Sequence, residues 1–146
     1  MSLKDKYKTD GDAVREGVWF DFDTNSDGSV PGFKLAFAGK QNKKYTAAMR
    51  KWTAKYEDDN GIPDFSTLQE ADADKFILEV FADTVLIDWR NFQPEDDGVN
   101  LPYSHDAVIK IFGSDDWAAF YAILNAKAKK VANFRQKALA AQAKNS

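Results

Sequence analysis

The sequence predicts a mainly α fold with a small N-terminal β-hairpin, an α+β domain of about four helices whose last one is long. Three observations carry this. Residues 17–22 (GVWFDF) alternate, with Val18, Phe20 and Phe22 on one face and Trp19 and Asp21 on the other. From Asn42 onward, apolar residues recur instead at spacings of three and four. Between the periodic runs sit clusters of Gly, Pro, Asn and Asp, the chemistry of turns.

Taken in order, residues 1–16 are polar and interrupted by Gly11, which reads as a flexible lead-in. The first extended strip ends at Asn25-Ser26-Asp27-Gly28. A second follows with Phe33, Leu35 and Phe37 on one side, giving a hairpin across residues 18–38 with a bulge near Pro31-Gly32. Two strands alone are marginal in water, so their apolar face needs helices. Asn42 can cap a helix from Lys43 to about Tyr56, in which Tyr45, Met49, Trp52 and Tyr56 share a face. Ser66 followed by Gln69 spells a capping box for a helix running to about Ile87, in which Leu68, Phe76, Ile77, Val80, Phe81, Thr84 and Val85 form the buried stripe.

Beyond it, Pro94 and Asp96-Asp97-Gly98 break the chain, and Val99, Leu101 and Tyr103 alternate as a short extended strip. Ser104 caps a short helix to Phe112, with Gly113 at its end. The last helix is expected from Asp116 to about Gln142. The organisation that follows is a lead-in over 1–16, one globular domain over 17–134, and a helical or frayed tail over 135–146.

A chain of 146 residues can bury a sizeable core, and 44% hydrophobic with 29% charged residues is a globular composition. Eleven Phe and four Trp are many for this length. They imply a large aromatic core or an apolar surface kept for a partner. With no Cys, disulfides and thiolate metal sites are excluded. The N-terminal residues lack the apolar core of a signal peptide, and no apolar run approaches the roughly 20 residues that span a bilayer. A formal net charge of −3 argues against nucleic acid as the main partner.

Several motifs invite sharper readings. Asp23, Asn25 and Asp27 with Gly28 spell the first half of a calcium loop, whose alternate hard oxygens suit that ion. The position that should carry the bidentate Glu is Lys34, so a plain hairpin turn is the better reading. Ser104-His105-Asp106 has the letters of a catalytic triad, but neighbours at a helix start cannot converge on one proton path. Acidic pairs fall in turns and at helix starts, where solvation and the helix dipole explain them. Two basic groups, Lys40 to Lys55 and Lys127 to Lys137, read as solvated helix faces suited to an acidic partner. No catalytic residue, cofactor or metal site emerges, and the chain is expected to be a binding module.

Two longer stretches carry a resemblance. LIDW, an acidic-Gly turn, LPYSHDAVIKIF and DDWAAFYAIL follow one another between Leu86 and Leu124, and FKLAFAGKQNKKYTAAMRKW lies upstream. In this order they resemble the tail assembly chaperones of long-tailed bacteriophages or prophages, over about Gly32 to Phe134. The resemblance implies a protein that binds the tape measure protein, keeps it soluble and helps recruit tail tube subunits around it. It also implies residence in the host cytoplasm and absence from the finished virion. An aromatic-rich domain of this kind can offer a groove to an amphipathic helix. Trp89, Phe92, Tyr103, Trp117 and Tyr121 are the candidate partner-binding residues, and the same surface suits self-association. Equally open is a core location for all five; the alternative function is another phage structural or connector role, or a small calcium- or nucleic-acid-binding module.

Overall fold

The computed structural model describes residues 2–136 and 138–140. Two short helices, α1 (Leu3–Tyr7) and α2 (Gly11–Glu16), precede strand β1 (Val18–Asp21) and strand β2 (Gly32–Leu35). Helices α3 (Lys43–Thr53) and α4 (Glu70–Thr84) follow, then strand β3 (Leu86–Arg90), α5 (His105–Phe112) and α6 (Ala118–Lys129). Short 3₁₀ turns close α3, precede α6 and span Val131–Phe134.

The expected fold class needs correction at three places. First, the hairpin is part of a three-stranded antiparallel sheet of order β1-β2-β3. Second, the chain stops being helical at Thr84, so Leu86–Arg90, predicted as a helix end and its exit, is an edge strand against β2. Val85, Leu86 and Trp89 are all buried there, and β-branched and aromatic residues on a half-buried pleat favour a strand once a partner strand exists. Third, α6 has only 12 residues and is shorter than α4, which has 15. Lys130 turns extended, and Asn133 Nδ2 donates to the Lys127 carbonyl (3.0 Å), which also accepts from the Lys130 amide at the helix end. This bend lets Phe134 reach complete burial beside Val14 and Phe37. Of the turns expected beyond Lys129, Gln136 and residues 138–140 are helical, while Lys137 and residues 141–146 lie outside the described residues.

The segment expected as a lead-in carries α1 and α2. Val14 is 2% exposed, and the amide of Asp10 donates to the Phe134 carbonyl (2.8 Å). Thr9 also bridges Arg135, so the two ends of the domain lie side by side.

The sheet has two unlike faces. Phe20, Phe33 and Trp89 stand opposite one another on the inner face, in line with the alternation in the sequence. On the outer face Arg90 bonds Asp21 (2.9 Å) and stacks over Trp19 at 4.4 Å. The Arg90 side chain crosses directly above Gly32, where an added Cβ would come within 2.8 Å of both Arg90 and Asp21, so a side chain at this position would displace their ion pair. The main core joins Phe33 and Leu35 of β2 to Phe81 of α4, Leu86 and Trp89 of β3, Phe112 of α5 and Leu124 of α6.

Asn42 locks the helices to this sheet. It is 1% exposed, its Oδ1 accepts from the Tyr45 amide to cap α3, and its Nδ2 donates to the carbonyls of Phe37 (2.9 Å) and Thr84 (3.1 Å). One buried amide thus satisfies the start of α3, the end of α4 and the strand extension after β2.

Candidate partner-binding groove

Helix α4 explains where a free surface arises. Ile77, Phe81 and Thr84 lie on one stripe at i, i+4 and i+7. Towards its C-terminal end this stripe is covered, leaving Phe81 2% and Thr84 6% exposed. Ile77 is 48% exposed, because α3 on one side and α5 with α6 on the other leave the N-terminal half of the stripe open.

The main depression here has a volume of about 630 Å³ and runs between α4, α5 and the start of α6. Ile77 and Tyr121 line it and also line its continuation along α6 past Ala122 and Ala126 to Lys129. On the other side Ile77 borders a hollow formed with Met49, Trp52, Phe65 and Leu68. One exposed isoleucine therefore sits at the centre of a mostly apolar strip, the shape that receives an amphipathic helix.

The five aromatics named from the sequence are not a single surface. Trp89 and Phe92 are 5% and 4% exposed, and the Trp89 indole donates to the Leu101 carbonyl (2.7 Å). Tyr103 is half-buried, with its hydroxyl donating to the Leu86 carbonyl (2.8 Å). Trp117 packs edge-on to Phe92 at 5.2 Å. Only Tyr121 lines the groove. Its ring meets Phe81 edge-on at 4.9 Å, and burial pushes the phenol pKa up. The sequence reading placed Ile77 in the buried stripe of its helix. Periodicity names a stripe but not how far along it the neighbours reach.

The other candidate sites are engaged in structure. Asp27 Oδ1 accepts from the Ser29 amide and Oδ2 from the Gln93 side chain (2.8 Å), while Asn25 Nδ2 donates to the Asn91 carbonyl (2.8 Å). Asp96 accepts from Ser26, so these bonds clasp the β1–β2 turn to the loop after β3. Asp23 is exposed and joins none of these bonds. No group of three or more His, Asp or Glu side chains suited to a metal occurs among the described residues. Ser104 caps α5 through the Ala107 amide (3.0 Å), and His105 Nε2 pairs with Asp83 of α4 (2.7 Å), away from Ser104.

The clasp predicts a pH response. Bonds from the Ser29 hydroxyl, the Gln93 amide and the Ser29 amide hold the Asp27 carboxyl at about 2, below its ordinary 3.8. A folded-state pKa below the unfolded one adds stability above the unfolded value and loses it as pH falls through the folded one. Thermal melts taken from 3.8 down to about 2 should fall more steeply for this protein than for Asp27→Asn. Parallel curves would refute the clasp's contribution.

Comparison with known proteins adds the origin. A family model described as YdaY prophage protein matches residues 40–145, well over half of the chain. The chain belongs to the YdaY prophage protein family. Its phage or prophage origin, expected from the resemblance, is thereby established at that level. No curated protein and no solved structure matches it. The family match covers α3 to α6 and the whole apolar strip around Ile77, but starts beyond β2. Among the described residues, no helix of this prophage protein is long and apolar enough to cross a membrane.

Proposed function

We propose that this prophage protein is a tail assembly chaperone, a non-enzymatic binding module for the tape measure protein. The observation that carries the reading is the open stripe of α4, with Ile77 48% exposed above a groove of about 630 Å³. A tape measure protein is long, helical and apolar on its exposed stripes, as the resemblance of the sequence to tail assembly chaperones implies. A helix of that kind buries its apolar side against Ile77, Tyr121 and the alanines of α6, in the helix-in-groove mode. Bound in this way it is kept from aggregating in the host cytoplasm, while tail tube subunits are recruited, and the chaperone is absent from finished particles.

The test is co-expression with the tape measure protein of the same prophage, scoring that protein's solubility and co-purification. Ile77→Glu places a charge at the centre of the groove. Because the side chain is half exposed, fold stability should move by no more than about 0.5 kcal/mol. Binding should weaken by about 2 kcal/mol, roughly thirtyfold, as at a central interface residue. A tape measure protein that stays insoluble and unbound, or an Ile77→Glu protein that binds as well as the original, would sink the reading. Finding the protein in intact virions would favour a structural role.

A further inference from the structure

The groove has a direction. Its lining residues on α6, Ala118, Tyr121, Ala122, Ala126 and Lys129, recur at three and four, so it follows that helix from end to end. Twelve residues of helix give it a length of roughly 18 Å, about three turns. At the Ala118 end it is bordered by Asp74, Asp115 and Lys75, a net negative set. At the other end Lys129 lines it with no acidic neighbour in the wall. Sequence neighbours strengthen both ends, with Glu70, Asp72 and Asp116 near the first and Lys130 at the second. None of Asp74, Lys75, Asp115 or Lys129 belongs to an ion pair among the described residues. All four residues are exposed.

From this polarity we infer that the groove takes an amphipathic helix running antiparallel to α6, acidic in its N-terminal half and basic in its C-terminal half. This rests on the helix-in-groove reading above and adds the partner's charge pattern and orientation. Helices favour acidic residues in their first turn and basic ones in their last, which complements their own dipole. Such a helix meets Lys129 with its acidic start and Asp74 and Asp115 with its basic end. Since α6 runs from the acidic end of the groove to the basic end, the partner runs the opposite way, and the two helix dipoles also oppose. Complementary charges set orientation and register more than total affinity, and the alanines of α6 let the two axes approach closely.

Two fluorescent peptides of equal composition and verified helicity test this. Both carry a three-turn apolar stripe. One has Glu in its first half and Lys in its second, and the other has the reverse order. By anisotropy the Glu-first peptide should bind about fivefold tighter, with the preference shrinking in high salt. The double variant Asp115→Lys with Lys129→Glu should invert the order of the two peptides. Equal binding of both, or an order unchanged in the double variant, overturns the orientation while leaving the groove itself intact. Failure of both peptides to bind, or binding unaffected by Ile77→Glu, overturns the groove reading as well.

Discussion

A chain cut back to residues 40–146 should not fold, although it retains the entire stretch that matches the family model. The reason lies in the sheet. Strand β2 is its middle strand, and both β1 and β3 pair to it. Without residues 1–39, β3 is left as a lone strand with its ladder groups unpaired and Leu86 and Trp89 uncovered. A single strand of that kind has no independent stability. The same cut removes Phe33, Leu35 and Ala36, each 1% exposed or less, and Phe37 with Val14, which bury Phe134. It also removes the Phe37 carbonyl that Asn42 bonds, leaving a buried donor short of its partner. Circular dichroism and a thermal melt should show some helix but no cooperative transition. A cooperative melt from the shortened chain would show that α3 to α6 fold without the hairpin, and the account of β2 would fail.

Phe33→Ala should be the most damaging single truncation. The ring is 1% exposed at the centre of the inner sheet face. Its neighbours are Phe92 and Phe120 at 5.1 Å, Phe22 at 5.6 Å, Trp89 at 6.1 Å and Phe112 at 6.4 Å. These rings come from β3, α5, α6 and the loops at the sheet's end, so one side chain joins most of the domain. A middle strand is held from both edges and cannot move inward to refill the space, so the cavity term adds to the lost transfer energy. The expected cost is about 3–5 kcal/mol, a large part of the 5–15 kcal/mol typical of a domain. Urea melts measure it as a lower midpoint at unchanged slope. A loss below about 1 kcal/mol would mean that the aromatic cluster repacks, and that Phe33 is not its centre.

Local sequence made part of the candidate site legible. Tyr121 was recognisable as an aromatic on the face of its helix, and it does line the groove. Trp89 and Phe92 looked the same in the sequence, yet they fill the core beside Phe33. Nothing within a few residues of an aromatic tells whether a distant strand will cover it. Ile77 was missed as a surface residue for the converse reason. Its spacing to Phe81 and Thr84 is that of a buried stripe, and only the position of the neighbouring helices leaves it open. The calcium-like spelling at Asp27 is likewise decided at long range, by Gln93, which arrives from a loop 66 residues away.

What the sequence determined by itself is local. The caps at Asn42 and Ser104, the alternation of Val18 and Phe20, the glycine turn at Gly28 and the starts of α3 and α5 each follow from a few adjacent side chains and the backbone they favour. Tertiary structure decided whether Leu86–Arg90 would continue a helix or become a strand, and where α6 would stop. In both cases local preference is nearly balanced, and a contact distant in sequence tips it. For β3 that contact is β2, and for the end of α6 it is the pocket made by Val14 and Phe37 for Phe134.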